Sequence, residues 1–494
     1  MTDDTIEPTA QEHKPLSWLR LRSPVVQNLI CSCVLAMTPG ILLALTAMGA
    51  GGGKPNTVSF FNQTNVILYS VFTVSSILAG SAINMFGPRY CLAFGSTGYA
   101  LYVGGLWYFS NTGREPFPLF TAAYLGVTAG FLWDASGYTS QAYAPERRKA
   151  LFIAQQWSII CIGSAVGSAI GLSANYNKTK ATGVGPAVYG AFIGIHLLAG
   201  IIALCFIVDP RTVRRNDGTY LAVFPHASLR DELRGMWETL HNPRVMMFMF
   251  AAFALDLWLP ILGSWNSFTF SLRARTLNSM VFYLIQIPSA FFCNWLVSTD
   301  LVPSRRKRIA YALTWATVIN VAAWAAWIQY LAKHNLDRHK PGPALDWTMG
   351  RAWAEPFGIY LVMGIMAPVL RNFCLYMCSI ASNDPTKQAR YNAVLHSMPQ
   401  AGICVAFGVD STKIRYLYEA AAWFGVTIAS LVVAAIGVAL YATETLYGAA
   451  GEENVIVPTV EAKTLGIDTH GEMVTIEAKD GAHVAVQGVD EKKV

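Results

Sequence analysis

Ionisable side chains inside apolar stretches are the residues of this sequence whose types and positions could do chemistry. Six are present: Asp134, His196, Asp256, Arg371, His396 and Glu419. A charge in the middle of a bilayer costs several kcal/mol unless it is paired or faces water, so each is a functional candidate. Asp256 and Arg371 could offset each other's desolvation in one water-filled cavity and hold a charged solute there. The same two residues could instead form a fixed ion pair that only locks helices together.

The other four candidates have competing interpretations. Histidine titrates near physiological pH, so His196 and His396 could relay protons, or they could be hydrogen-bonded core residues. Asp134 is close in sequence to the charged segment 146–149 and is interpreted as an anchor for that turn. Glu419 is expected near the outer surface, in contact with water.

Long apolar runs are the elements that must position these residues. The chain of 494 residues is 53% hydrophobic and 13% charged, whereas soluble proteins have about 25% charged residues. A helix needs roughly 20 residues to cross a bilayer core about 30 Å thick, and the runs are of that length. The sequence therefore predicts an all-α polytopic membrane protein with twelve transmembrane helices, at residues 25–48, 66–85, 90–109, 117–137, 151–174, 186–208, 245–265, 277–298, 309–331, 357–380, 389–407 and 417–443.

The predicted organisation is two six-helix halves with a tail at each end and a connection between them. An amphipathic piece is expected in the connection, at residues 229–240. The tail after the second half is polar and is predicted to be disordered. In order, the tail, half, connection, half and tail are residues 1–24, 25–208, 209–244, 245–445 and 446–494.

Two short polar turns occupy matching places in the two halves. Each is basic and follows an apolar run, which indicates an internally duplicated transporter fold. The break in the first half is short enough to make its flanking spans antiparallel neighbours. The turn residues singled out are Gly80, Asn84, Gly87 and Arg89 in the first half and Asp300, Arg305 and Arg306 in the second.

The predicted orientation rests on charge and on glycosylation motifs. Lys and Arg are more numerous in the N-terminal tail and the turns on its side, which the positive-inside rule assigns to the cytoplasm. Two N-glycosylation acceptors, at Asn62 and Asn177, both fall in predicted outer loops. We therefore expect a multi-pass protein with both termini cytoplasmic, in the plasma membrane or in a vacuolar or other endomembrane.

Several kinds of chemistry have no support in the sequence. It lacks the Gly-x-x-x-x-Gly-Lys-Ser/Thr segment that binds nucleotide phosphates. All nine cysteines lie in apolar runs, without metal-ligand or disulfide spacing. The net charge of +6 comes mainly from turns between spans and requires no nucleic-acid partner. We expect no enzyme activity, metal or cofactor, and as partners the lipid bilayer, a small-molecule substrate and, in an alternative, another membrane protein.

Short motifs in a fixed order give the chain a resemblance to a known family. Two six-span halves with a long connection resemble the major facilitator superfamily, and the motifs resemble the fungal branch of its Unc-93-like family. They extend over nearly the whole folded part, about residues 25–441. They are Gly80-x-x-x-Asn84-x-x-Gly87-Pro88-Arg89, Gly95-Ser-Thr-Gly98-Tyr99-Ala-Leu-Tyr102-Val-Gly104, Gly126-x-x-x-Gly130-Phe-Leu-Trp133-Asp-Ala-Ser-Gly137-Tyr138, Arg273-x-Arg275-Thr-Leu-Asn278-Ser, Asp300 with Arg305-Arg306, Ser382-Asn383-Asp384 and Ala389-Arg390-Tyr391.

The resemblance implies a central cavity lined mainly by the first, fourth, seventh and tenth spans. It would place Asp134, Asp256 and Arg371 on cavity helices. Members of the superfamily usually have an acid where this chain has Asn84, and that acid commonly bridges the halves at the inner face. The fungal pattern has an acid near Ala367 and a glutamine near Arg371, so the cavity chemistry of this chain differs from its relatives'.

Two functions follow as hypotheses. The first is a secondary transporter of a small solute or metabolite by alternating access, with Asp256 and Arg371 in the substrate or coupling site. The second is a non-transporting regulator or trafficking partner of another membrane protein. The resemblance to a family named after a channel regulator, and the uncharged Asn84, motivate this alternative.

Overall fold

The computed structural model describes residues 16–47, 58–176, 186–224, 228–449, 451–452 and 454–465. Sixteen α-helices lie within these residues. They are α1 (Pro24–Leu35), α2 (Ile41–Ala47), α3 (Val58–Phe86), α4 (Pro88–Thr112), α5 (Pro116–Ala142), α6 (Lys149–Asn175), α7 (Pro186–Phe206), α8 (Leu229–Leu240), α9 (Pro243–Ala252), α10 (Trp258–Thr269), α11 (Leu272–Ser298), α12 (Arg305–His334), α13 (Arg351–Ser379), α14 (Pro385–Ser411), α15 (Tyr416–Tyr441) and α16 (Thr459–Leu465).

The predicted spans coincide with helices, which confirms the fold class. In the described part of the chain, nine helices are long and apolar enough to cross a membrane. Two further spans, α4 and α14, fall short of that apolarity, and the seventh span is divided between α9 and α10. In the described residues, the nine apolar helices, α4, α14 and the divided seventh span together give twelve spans, so hydropathy alone does not give this total.

The first span of each half is interrupted. In the first half a π-helical turn, Ala36–Gly40, separates α1 from α2 and contains Pro39, which has no N–H to donate to the helical ladder. In the second half, residues 253–257 form turns between α9 and α10. Interrupted helices at corresponding places of two repeats are typical of solute-binding sites in transporters.

A single residue, Gly87, joins α3 to α4. Its φ of +80° is a left-handed conformation that glycine adopts without a steric penalty, and Pro88 at the first helical position presets the next helix. The turn therefore reverses the chain within one residue, as its shortness predicts. It lies at the membrane face where the described chain ends also lie, which we call the terminal face.

The two halves pack closely against each other. Helix α3 of the first half lies against α14 of the second, and α6 lies against α11. Gly80 allows the first of these contacts, because a Cβ at this position would lie 2.7 Å from the Cβ of Ala393. Absence of a side chain lets the backbones approach and gain dispersion contacts that lipid cannot supply.

The connection and the second tail contact each other. Helix α8 has the bounds expected for the amphipathic piece, Leu229–Leu240. The expectation that the tail after residue 446 lacks structure is wrong for its described part: Thr459 donates its backbone N–H to Asp217 Oδ2 at 2.7 Å, and Ala222 pairs with Val455. The polar composition of the tail gave no indication of this contact, because the contact is made through backbone hydrogen bonds. The rest of the tail, 466–494, lies outside the described residues.

Candidate functional site

A cavity of about 90 Å³ lies between the two halves. Both interrupted spans contribute to its wall, through Pro39 at the first interruption and Asp256 at the second. A large part of the remaining lining is aromatic. The aromatic lining residues are Tyr69, Phe72, Tyr99, Tyr102, Trp133, Trp157, Trp258 and Tyr283.

Asp256 and Arg371 form a buried ion pair in this wall. Arg371, on α13, donates from Nη2 to Oδ2 of Asp256, which lies in the turn between α9 and α10. Both residues are almost fully buried. The Nε of Arg371 has no hydrogen-bond partner among the described residues, so the guanidinium keeps a donor unused where water is scarce.

The guanidinium of Arg371 also contacts the first half. Its carbon lies 4.8 Å from the ring centroid of Trp157 and 5.8 Å from that of Trp133, within the range of cation–π attraction. Each indole N–H is directed to another partner, Gln286 at 3.0 Å and Tyr99 at 3.1 Å respectively. A charge on the second half therefore lies over rings of the first.

Asp134 is placed differently from the prediction. It does not anchor the 146–149 turn and does not line the cavity; it is fully buried on α5, with Oδ1 3.2 Å from Nδ1 of His396 on α14. Its backbone carbonyl accepts from Asn392 at 3.0 Å, and Gln141 donates to the Asn392 amide oxygen at 2.7 Å. These polar contacts join the halves between the cavity and the terminal face.

His196 is also fully buried and away from the cavity lining. Its Nδ1 lies 2.7 Å from the carbonyl oxygen of Met37, which belongs to the π-helical turn of the first span. The contact satisfies a carbonyl at the interruption. Of the two interpretations, the geometry favours the hydrogen-bonded core residue.

Glu419 and Asn62 are buried, against expectation. Arg338 donates to Glu419 at 3.0 Å and to Asp410 at 2.5 Å, and the side-chain amide of Asn62 donates to Asp410 at 3.2 Å. Asn62 lies within α3 and not in a loop. Arg338 lies in a loop, more than 70 residues away in sequence from either acid. No sequence pattern therefore predicts this cluster. Asn177 lies outside the described residues, and glycosylation stays a prediction.

At the first terminal-face turn, the acid that contacts Asn84 comes from another segment of the chain. Asn84 donates to Glu232 of α8 at 3.0 Å and to the carbonyl of Thr386 at 3.1 Å. Arg390 of α14 donates to both carboxylate oxygens of Glu232, each at 3.1 Å. The connection therefore supplies a carboxylate beside the position where the superfamily usually has one. Arg89 is exposed and takes no part.

The second turn separates into a buried and an exposed part. Arg305 is buried and donates to Glu146 at 2.9 Å, and Glu146 also accepts from Asn383 at 2.7 Å. Asp300 pairs with Arg147 at 2.7 Å, but both side chains are exposed. The side chain of Arg306 is exposed as well. Of the three predicted residues, only Arg305 lies in a buried network between the halves.

Lys149 was not singled out in the sequence. It is buried and donates to Asn383 Oδ1 at 2.8 Å and to the carbonyls of Ser382, at 3.1 Å, and Ser379. These acceptors lie at the end of α13 and in the turn that follows it, so Lys149 also joins the halves. The Glu-Arg-Arg-Lys run offers one sequence signal for this contact, which is that it contains one acid among three bases.

The comparisons with known proteins agree with this architecture. An uncharacterized membrane protein of Schizosaccharomyces pombe is 39% identical over 404 residues, which are 81% of each chain. The family model described as "Ion channel regulatory protein UNC-93" matches residues 62–299. The chain belongs to the Unc-93-like family. Within it, UNC93-like protein 1 of Arabidopsis thaliana is 27% identical over 420 residues, covering 83% of this chain and 90% of that one.

Solved structures, among them one of a major facilitator superfamily transporter, share the fold of this Unc-93-like protein. FucP, a transporter of that superfamily in its outward conformation, matches with a TM-score of 0.57 at 13% identity, over 85% of this chain and 99% of FucP. A bacterial homologue of the iron transporter ferroportin, in an outward-facing state, matches with a TM-score of 0.59 at 11% identity, over 85% and 100%. At these identities the likeness concerns the fold alone.

Proposed function

We propose that this protein is a secondary transporter that moves a small solute by alternating access, with Asp256 and Arg371 in the solute or coupling site. One observation carries the proposal: the interrupted first spans of both halves meet at a cavity that contains a buried ion pair. That arrangement is typical of solute sites in transporters. The fold shared with FucP, which is named a transporter, supports the same class of function.

The lining favours a solute with a flat apolar part and an anionic group. Eight of the lining residues are aromatic, and Arg371 is the one Lys or Arg among the described lining residues. An anionic group that binds Arg371 competes with Asp256. Since a buried carboxylate without its partner costs about 3–5 kcal/mol, Asp256 then takes up a proton, and solute binding is coupled to a proton.

A transporter that works by alternating access also needs contacts that close the cavity on one side of the membrane. The networks at the terminal face supply such contacts. Contacts of Arg305 with Glu146 and of Lys149 with Asn383 hold the halves together on that side of the cavity. Opening the cavity to the terminal face requires that these contacts break. We infer that this face is the cytoplasmic one, as the distribution of Lys and Arg indicates.

The experiment begins without assuming a substrate. An untargeted comparison of metabolites between deletion and overexpression strains selects solutes whose distribution changes. Uptake of those solutes is then measured in sealed proteoliposomes that contain the purified protein. We expect Asp256→Asn and Arg371→Gln each to lower uptake about 100-fold or more, because a missing partner leaves the other charge buried alone.

Arg351→Gln is the matched control for Arg371→Gln. Arg351 is exposed at the first residue of the same helix, α13, so its neutralisation should leave uptake unchanged. Variants must reach the membrane in wild-type amounts for the comparison to count. Wild-type uptake by both cavity variants would disprove the site assignment.

A regulatory or trafficking function is the second candidate. The family description as an ion channel regulatory protein supports it. It predicts a stable membrane-protein partner in a pull-down and no solute flux in sealed proteoliposomes. Flux through the purified protein, lost on Asp256→Asn, decides in favour of transport.

A further inference from the structure

Helix α8 of the connection has a buried face and an exposed apolar face. Its buried face carries Glu232 and Met236, which are 1% and 8% exposed. A second face carries Leu229, Leu233 and Trp237, which are 59%, 59% and 65% exposed. Residues spaced by four lie on one side of a helix, so these three form a continuous apolar stripe.

The buried face is part of the contact between the halves. Glu232 binds both Arg390 of the second half and Asn84 of the first. Gly235 allows Arg390 to lie against the helix, since a Cβ there would be 1.8 Å from a guanidinium nitrogen. The position of α8 therefore determines whether Glu232 reaches both partners.

The chain fixes the height of α8 relative to the bilayer. Only residues 241–242 separate it from α9, the first part of the seventh span. Met246 and Phe250 of α9 are 41% and 69% exposed, as is typical of a surface that faces acyl chains. A helix attached this closely to the end of a span must lie at the membrane surface, where lipid headgroups meet acyl chains.

Basic side chains border the apolar stripe. Arg230 and Arg234 are exposed and follow Leu229 and Leu233 by one position, which places them beside the stripe. Arg234 lies 3.0 Å from Glu238, on the side away from the buried face. An apolar stripe flanked by cations is the pattern of helices that lie in the plane of a membrane interface.

We propose that α8 binds the lipid surface at the terminal face, with Leu229, Leu233 and Trp237 among the upper acyl chains and Arg230 and Arg234 at the phosphates. By this attachment the membrane holds Glu232 in its contact with Asn84 and Arg390. The lipid-bound helix thus helps to keep the halves joined at that face. This function of α8 is independent of whether the cavity transports a solute.

Hydrogen exchange of the full-length protein tests the proposal. The protein is placed in nanodiscs of phosphatidylcholine with about 30% phosphatidylserine, and exchange is followed in peptides from α8 and from the start of α14. In the double variant Leu233→Glu/Trp237→Glu we expect exchange of α8 to become at least about tenfold faster, because charged side chains leave the interface. Exchange around Arg390 should also become faster.

A matched control is Leu301→Glu, which is 80% exposed in a turn outside α8 and should leave α8 unchanged. Exchange in α6 reports whether each variant is folded. If protein contacts alone hold α8, or if a protein partner covers the stripe, the purified double variant will exchange as the wild type does. That result would overturn the proposal.

Charge is tested separately. Removing phosphatidylserine should speed exchange of α8 in the wild type about fivefold or more, since each basic residue gains from anionic lipid. Arg230→Gln/Arg234→Gln should lose this dependence while retaining the effect of the apolar stripe. If hydrogen exchange of α8 in the wild type does not depend on lipid charge, the role proposed for the two arginines is contradicted.

Discussion

Among the buried charged regions that join the halves in the described part of the chain, the terminal-face network around Glu146 and the cavity pair differ in how fully their hydrogen bonds are satisfied. At the terminal face Glu146 accepts from Arg305, Asn383 and Thr445 and from the backbone of Leu446. Arg371 lines the central cavity and binds Asp256, but its buried Nε has no hydrogen-bond partner among the described residues. A saturated network has no donor left for another ligand and serves to hold the halves together, whereas an unsaturated pair in a cavity has capacity for another ligand.

The hydrogen bonds around Arg305 show how fully the polar groups at the terminal face are satisfied. Besides Glu146, it donates to the carbonyl of Thr443 at 2.6 Å. The neighbouring Glu444 accepts from Ser304 and from the backbone N–H of Arg305, each at 2.7 Å. Burial raises the pKa of Glu444, but these hydrogen bonds outweigh it and the net pKa is lowered. Among the described residues, the cavity pair has no comparable set of partners.

The largest expected effect is a loss of stability at the terminal face. Arg305→Leu leaves Glu146 buried without its counter-charge and should cost about 3–5 kcal/mol of unfolding free energy. Arg306→Leu, at an exposed neighbour, should change it by less than about 0.5 kcal/mol. Thermal unfolding in one detergent measures both. Equal stability of the two variants would remove the distinction between the buried and exposed parts of this turn.

The second prediction separates folding from function in the cavity. Asp256→Asn/Arg371→Gln removes both charges together, so no unpaired charge remains, and stability should stay within about 1–2 kcal/mol of wild type. Solute uptake should nevertheless remain at background. If the double variant transports, the pair serves only to hold helices and the contrast with the terminal face fails.

The third prediction tests the contact of α8. Gly235→Ala introduces a Cβ where the Arg390 guanidinium lies and should cost about 1–3 kcal/mol, with faster hydrogen exchange in α8. Gly263→Ala is the control, because a Cβ there meets nothing within 4 Å. Wild-type exchange in Gly235→Ala would show that Arg390 can move aside without loss.

The smallest effect is expected at the opposite face. Arg273 donates two hydrogen bonds to Asp346, at 2.7 and 2.8 Å, and lowers the pKa of that carboxyl. A lowered folded pKa stabilises the protein above the ordinary Asp pKa of about 4, and the gain is lost as the pH falls through the folded value.

Asp346→Asn should therefore reduce stability at pH 7 by about 1 kcal/mol, and the difference from wild type should shrink as the pH falls below about 4. Unfolding at a series of pH values measures it. A difference that stays constant down to pH 2 would mean that the Asp346 charge contributes nothing.

Much of the fold could be predicted, and the candidate site in part. Asp256 and Arg371 stand out in the sequence because charges are rare in apolar runs, and the structure brings them into contact. The structure pairs Asp134 with His396 and Glu419 with Arg338, which the sequence did not indicate. Their partners are on distant segments, and nothing local in a helix specifies which distant side chain faces it.

By itself the sequence determined how deep each segment lies in the membrane. Twelve apolar runs, the short turn at Gly87 and the amphipathic pattern of 229–240 follow from the free energy of placing each side chain in lipid or water. Only the tertiary structure decided how each helix is rotated about its own axis and which side chains it contacts. Rotation depends on the packing of whole helices, so Glu232, from the connection, became the acid beside Asn84.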